Sequence, residues 1–135
     1  MPEPVQLGLV GLGRWARVLA RAAARSQKLK IVACTTRTPE KRAAFTAETG
    51  IPAVADLATM LRDPSIEGVI LTVPNEQHLP LAREVARAGK HVYTEKPIAS
   101  TLEDGLAIEA LEQEFGVTVT VGHSARLLEI GRAHV

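Results

Sequence analysis

Short runs of apolar, often β-branched residues alternate along the chain with longer segments in which polar positions recur every three or four residues. The apolar runs predict six strands, at 5–11, 30–36, 52–55, 67–73, 90–95 and 117–122. The first helical segment, 14–26, has arginines at positions 14, 17, 21 and 25, which mark one solvated face. Strands that alternate with helices predict an α/β fold, a doubly wound parallel sheet of the Rossmann type with helices on both faces.

Capping residues predict where the other helices begin and end. The predicted N-caps are Thr38 (with Pro39 at the first helical position), Asp56, Asn75, and Ser100, which has Glu103 at capping-box spacing. The predicted C-terminal stops are Gly50, Gly89 and Gly116.

Composition narrows the class of protein. The 135 residues suit one domain, and 46% hydrophobic residues indicate a globular chain. A net charge of +1 with interspersed signs argues against a nucleic-acid partner. The single cysteine, Cys34, excludes an internal disulfide and is read as a small buried residue. Without a signal peptide or an apolar run of the ~18 residues of a membrane span, we expect a cytoplasmic protein with no membrane partner. No metal site is predicted.

The segment Gly11-Leu12-Gly13-Arg14-Trp15-Ala16 fits the G-x-G-x-x-G/A pattern between a strand and a helix. Gly11 permits the tight turn, Gly13 lets a pyrophosphate approach the backbone, and Ala16 allows close packing of helix and sheet. The free N–H groups of the helix start then face the phosphates. The pattern predicts a dinucleotide site, and the alternative is a pair of glycines that serve only the turn.

The end of the second strand bears on which nucleotide binds. NAD-preferring sites usually carry Asp or Glu there, whereas this chain reads Cys-Thr-Thr-Arg-Thr at 34–38. Thr36 can hydrogen-bond a 2′-phosphate, and Arg37 can pair with it and stack on adenine. The sequence therefore favours NADP over NAD, with FAD behind both, unless Arg37 is an ordinary exposed loop residue.

Four motifs together resemble the N-terminal half of the Gfo/Idh/MocA oxidoreductases. They are GLVGLGRWA at the glycine turn, TVPNEQH (72–78), AGKHVYTEKPIA (88–99) and VGHSAR (121–126). The resemblance implies a nicotinamide-dependent dehydrogenase or reductase that acts on a sugar, an inositol or a related polyol. It implies that Lys96 is catalytic and donates to the reacting substrate oxygen. The resemblance and the residues considered above together suggest the following cofactor-binding residues: Gly11, Gly13, Arg14, Trp15, Thr36, Arg37, Thr72, Pro74, Asn75, His78, Glu95 and Lys96.

Several of these residues have plainer alternatives. Asn75 can be only a helix cap, and His78 can reach the cofactor or remain exposed. Glu95 and Lys96 can form a surface ion pair. A non-enzymatic dinucleotide sensor is the alternative to the enzyme, since the fold alone does not require hydride transfer.

The expected domain organisation is a Rossmann domain at 1–122, the start of a link to a second domain at 123–128, and a non-native tail at 129–135. The resemblance assigns the substrate pocket and the oligomer interface to the second domain, so we expect this chain to bind cofactor with little turnover. A common sequencing-adapter string, AGATCGGAAGAGCACACGTCTGA, encodes Ile-Gly-Arg-Ala-His-Val and a stop once its first two bases complete a Glu codon. The tail EIGRAHV matches that translation, and His134 is therefore not read as catalytic.

Overall fold

A five-stranded parallel sheet forms the centre of the domain in the computed structural model, which describes residues 3–95, 99 and 101–122. The strands are β1 (Val5–Val10), β2 (Leu29–Thr35), β3 (Gly68–Leu71), β4 (His91–Glu95) and β5 (Val119–Gly122). They lie in the order β2-β1-β3-β4-β5, and every neighbouring pair is parallel. The predicted doubly wound α/β fold is confirmed.

The segment 52–55, predicted as a strand, contributes only an isolated parallel bridge between Cys34 and Ala53. Two hydrogen bonds hold it, from Cys34 N to Pro52 O (3.0 Å) and from Val54 N to Cys34 O (2.8 Å). The pairing is short because Pro52 has no N–H to donate and Asp56 already caps the next helix. Residues 52–55 lie along the outer edge of β2, where the doubly wound order places a third strand.

In the described part of the chain, the strands are connected by five α-helices: α1 (Arg14–Ala24), α2 (Pro39–Thr49), α3 (Leu57–Leu61), α4 (His78–Arg87) and α5 (Leu102–Phe115). The predicted stops Gly50, Gly89 and Gly116 all adopt positive φ, at 78°, 78° and 68°. Such left-handed backbone suits glycine at a helix end. The predicted C-terminal boundaries are therefore correct to within a residue or two.

The N-terminal caps agree less well with prediction. Asp56 caps α3 as predicted, with its side chain accepting from Thr59 N at 2.8 Å. Asn75 does not cap α4, because it begins a 3₁₀ turn (Asn75–Gln77) that runs into the helix. The cap of α5 is Thr101, which accepts from Asp104 N at 3.1 Å, one residue later than the predicted Ser100. Ser100 itself lies outside the described residues.

Apolar side chains cover both faces of the sheet. On one face α1 and α2 pack Leu19 and Phe45 against the strands, and Cys34 is buried there as predicted. Burial raises the pKa of the Cys34 thiol, which keeps it protonated. On the other face, residues of α3, α4 and α5 such as Met60, Val85 and Ile108 form a second core. Among the residues described, no helix is long and apolar enough to span a bilayer.

Candidate cofactor-binding site

The glycine turn between β1 and α1 is fixed by contacts with both neighbouring strands. Gly11 has φ +90°, which a side chain would strain, and its N–H donates to Thr35 O of β2 at 3.0 Å. From the end of β3, the Thr72 hydroxyl lies 2.7 Å from Gly11 O and 3.0 Å from Val10 O. A Cβ on Gly11 would lie 2.9 Å from the carbonyl carbon of Thr72 and closer still to its oxygen. Gly11 is therefore required by both backbone angle and space.

At position 13, by contrast, neither the backbone angles nor the available space requires glycine. Its φ of −83° is open to any residue, and a Cβ there would have nothing within 4 Å. It stands at the N-cap of α1, where no side chain accepts the first helical N–H groups. These donors and the positive end of the helix dipole face open space, as a pyrophosphate site requires. Ala16 is fully buried against the core, consistent with the predicted close packing.

Arg14 and Trp15 begin α1 on its exposed side. Trp15 keeps 41% of its surface exposed, and Arg14 is also exposed. Both lie at the carboxyl edge of the sheet, beside the N–H groups of the turn. A large indole left in solvent there is free to cover a bound ligand, which is compatible with the predicted role.

A cavity of about 540 Å³ opens between the ends of β1, β2 and β3. Five predicted cofactor residues line it: Gly11, Thr36, Arg37, Thr72 and Pro74. Val10, Ala55, Leu57, Val73 and Leu81 give it an apolar wall, and Thr35, Thr38, Asp56 and Gln77 complete the lining. An apolar wall beside a few polar groups is typical of a small-molecule site, and the position beyond the strand ends is the binding crevice of such sheets.

Sequence reasoning missed Asp56 as a cavity residue, although it identified the helix cap. Hydrogen bonds from the backbone N–H and the hydroxyl of Thr59 lower the pKa of the Asp56 carboxyl, with smaller contributions from Arg62 and Arg42. The acid therefore stands on the α3 side of the cavity and is already engaged in capping that helix. The end of β2 itself carries no acid, as the sequence predicted.

The segment after β3 is held from inside the protein. Gln77 N donates to Pro74 O at 2.9 Å, which closes the 3₁₀ turn. His78 is only 1% exposed, and its Nε2 lies 3.0 Å from Val73 O. The alternative of an exposed His78 is wrong, because the ring anchors the segment that carries Val73 and Pro74. That Asn75 and His78 bind the cofactor stays a prediction.

Glu95 ends β4 at the same edge of the sheet. It is half-buried, and the Tyr93 hydroxyl donates to its Oε1 at 3.2 Å. Tyr93, two residues earlier on the same side of the strand, was not among the predicted site residues. Lys96, the predicted catalytic residue, lies outside the described residues, as do 123–128 and the predicted non-native tail at 129–135 with His134.

Lys90, the first lysine of the motif AGKHVYTEKPIA, has a structural role. Lys90 is buried at the amino end of β4, away from the cavity, and its Nζ donates to Asp63 O at 2.9 Å and to Ile66 O at 2.7 Å. A second groove, of about 800 Å³, lies along α1, α2 and β2 and contains none of the predicted site residues. Within the described part of the chain, no group of His, Cys, Asp and Glu side chains could hold a metal ion.

Comparison with known proteins identifies the class. Residues 5–123 match the model of the Gfo/Idh/MocA oxidoreductase family, described as an NAD-binding Rossmann fold. The chain belongs to this family, and its domain is a Rossmann domain that binds a nicotinamide dinucleotide.

Individual relatives support that assignment. The chain is 33% identical over 127 residues to 1,5-anhydro-D-fructose reductase of Ensifer adhaerens. This alignment covers 93% of this chain and 38% of the relative. It is 38% identical over 73 residues to the NADP(+) scyllo-inositol 2-dehydrogenase IolW of Bacillus subtilis, covering 54% of this chain and 20% of the relative. A proposed NADPH-dependent oxidoreductase of Desulfitobacterium hafniense superposes with a TM-score of 0.88 at 40% identity, covering 96% of this chain and 38% of that one. The chain thus spans well under half the length of these proteins.

Proposed function

We propose that this domain binds NADP(H) in preference to NAD(H) and serves an enzyme that moves hydride to or from a sugar, an inositol or a related polyol. The observation that carries the cofactor preference is the cavity shared by Gly11, Thr36 and Arg37. An exposed guanidinium beside a threonine hydroxyl suits a 2′-phosphate, and the acid that would bind two ribose hydroxyls is missing from β2. The relatives named for NADP(+) or NADPH support the same preference.

Different residues of the site would bind different parts of the dinucleotide. Gly13 and the N–H groups of α1 would hold the pyrophosphate, while Thr36 and Arg37 would hold the adenosine end. Val73 and Leu81 offer an apolar wall to the base. When bound, the nicotinamide supplies or accepts the hydride, and the protein contributes position and field. Lys96 directly follows β4, so its ammonium would stabilise negative charge on the substrate oxygen at the carboxyl edge.

The cofactor preference is tested by titrating NADPH, NADH and FAD against the fluorescence of Trp15, the one tryptophan in the chain. We expect NADPH to bind most tightly. Arg37→Asp should weaken NADPH binding at least tenfold, because it replaces a cation that pairs with the 2′-phosphate by a negative charge that repels it. NADH lacks this phosphate, so its affinity should be unchanged. Arg87→Asp, on the exposed last turn of α4, is the matched control. Equal affinities of wild type for NADPH and NADH would contradict the preference.

The enzymatic role is tested at Lys96 in a longer protein that joins this domain to a family substrate domain. Lys96→Ala should lower turnover by a factor of about 10²–10³ while NADPH still binds, because one lost donor to a developing oxyanion costs on the order of 2.7–4 kcal/mol. A dinucleotide sensor would keep its response to NADPH in that variant. The 135-residue chain alone should bind cofactor with little turnover, and a rate normal for the family would refute that part. We also propose that a protein in which this domain is joined to the second domain forms a homo-oligomer.

A further inference from the structure

Arg42 lies on the first turns of α2, and its side chain reaches back to the end of β2. Its Nη1 donates to the carbonyl oxygen of Thr36 at 2.7 Å and lies 3.5 Å from the carbonyl oxygen of Arg37. Helical side chains lean toward the N-terminus of their helix, which makes this return contact possible without strain. Arg42 therefore ties the backbone of the two predicted phosphate-binding residues to the helix that follows them.

The contact holds two residues that lie beyond the end of a strand. Thr36 and Arg37 follow the last residue of β2, so they lie outside the ladder that holds the strand. Arg42 is half-buried, whereas Arg37 is exposed. Arg42 is also absent from the residues that line the cavity. Its position lets it hold the turn without touching a ligand in the cavity.

We propose that Arg42 is a positioning residue for cofactor specificity. By holding the Thr36 and Arg37 carbonyls, its guanidinium keeps both side chains at the cavity wall, where they meet the 2′-phosphate. This inference rests on the proposed NADP preference. NADH has no 2′-phosphate, so loss of Arg42 should affect NADPH selectively.

The experiment measures the dissociation constants of NADPH and NADH for wild type, Arg42→Met and Arg87→Met by Trp15 fluorescence. Methionine keeps much of the apolar stem of Arg42 and removes the donors. We expect Arg42→Met to raise the Kd for NADPH about fivefold to tenfold, the scale of one ordinary hydrogen bond, with the Kd for NADH changed less than about twofold. Unchanged NADH binding also shows that the variant is folded. Arg87→Met should leave both constants unchanged.

Two further variants separate positioning from plain charge. In an Arg37→Ala background, Arg42→Met should weaken NADPH by a smaller factor than it does in wild type, because only Thr36 remains of the two side chains that it positions. Arg42→Lys keeps the charge, but its ammonium ends one bond short of the Nη1 that makes both contacts, so it should still weaken NADPH. Wild-type affinity in Arg42→Lys, or full additivity with Arg37→Ala, would overturn the inference. A wild type that does not prefer NADPH would instead refute the proposed function, so the two failures are distinguishable.

Discussion

The carbonyl group of Thr72 lies where a side chain on Gly11 would have to be, and the Thr72 hydroxyl donates to the Gly11 carbonyl oxygen at 2.7 Å. The residue that directly follows β3 thus forbids a side chain in the glycine turn and also holds that turn in place. Gly11 and Thr72 are 61 positions apart in the sequence. The conformation of the phosphate-binding turn therefore depends on the strand next to it in the sheet.

Gly11→Ala should lower both stability and cofactor affinity. The new methyl group meets positive φ and the Thr72 carbonyl together, which costs on the order of 1–3 kcal/mol. Urea unfolding should show the loss, and NADPH affinity should fall at least tenfold.

Gly13→Ala is the informative partner to that variant. Its backbone angles suit alanine and its Cβ has open space, so an entropic gain of about 0.4–1 kcal/mol should offset the poorer helix cap and leave stability close to that of wild type. NADPH binding should nevertheless weaken strongly, since the methyl group stands where the pyrophosphate approaches. If Gly13→Ala binds NADPH as wild type does, the pyrophosphate does not lie on this turn.

Thr72→Val should loosen the same turn without adding bulk to it. Valine keeps the shape but removes the donor to Gly11 O and Val10 O, a loss of about 0.5–1.5 kcal/mol. Thr72→Ser keeps the hydroxyl and should retain most of the NADPH affinity that Thr72→Val loses. Equal affinity in both variants would mean that the hydroxyl does not support the turn.

Gly8 has no place in the dinucleotide pattern, but the structure explains it. A Cβ there would lie 3.1 Å from Met60 Cγ and Cε and nearer still to the sulfur. Gly8→Ala should therefore move the flexible Met60 side chain, at a cost of about 0.5–1.5 kcal/mol of unfolding free energy. Met60→Ala alone should also destabilise, whereas the double variant should cost less than the sum of the two. Strict additivity in urea unfolding would show that the two residues do not compete for space.

Local patterns predicted the parts of this fold that depend on local chemistry. The periodicity of 14–26 indicated α1, and the glycines at 50, 89 and 116 marked helix ends, because left-handed backbone selects glycine whatever lies nearby. The strand predicted at 52–55 was wrong because Pro52 and the Asp56 cap, both readable from the sequence, leave room for only one bridge. The contacts of Gly8 with Met60 and of Thr72 with Gly11 join distant segments, so no local pattern reveals them. Burial of His78 was missed for the same reason.

Two buried threonines make a matched pair for testing polar satisfaction. Thr94 in β4 is fully buried, and its Oγ1 has no hydrogen-bond partner within the described part of the chain. Thr35 in β2 is almost as buried, but its hydroxyl donates to Val54 O at 2.7 Å. Thr94→Val should raise the unfolding free energy by about 1 kcal/mol, and Thr35→Val should lower it by a similar amount. A loss of stability in Thr94→Val would show that its hydroxyl is satisfied.

The acid side of the stability profile should depend on Asp56 and Asp63. Asp56 Oδ1 accepts from the N–H and the hydroxyl of Thr59, both at 2.8 Å. Asp63 Oδ1 accepts from the hydroxyl of Ser65 at 2.7 Å and from its N–H at 2.9 Å. In each case these hydrogen bonds hold the carboxyl pKa below its usual value. The folded state therefore binds protons less readily than the unfolded chain does.

Because the folded pKa is lowered, this stabilisation is complete above the ordinary carboxyl pKa of about 4 and is lost as pH falls through the folded value. Urea midpoints should thus decline between about pH 5 and pH 3. The variant Asp56→Asn, Asp63→Asn keeps an acceptor at each turn but cannot titrate, so its decline should be shallower than that of wild type. Glu109→Gln, an exposed acid on α5, should leave the slope unchanged. Parallel curves for wild type and the Asn variant would assign the acid sensitivity to other carboxylates.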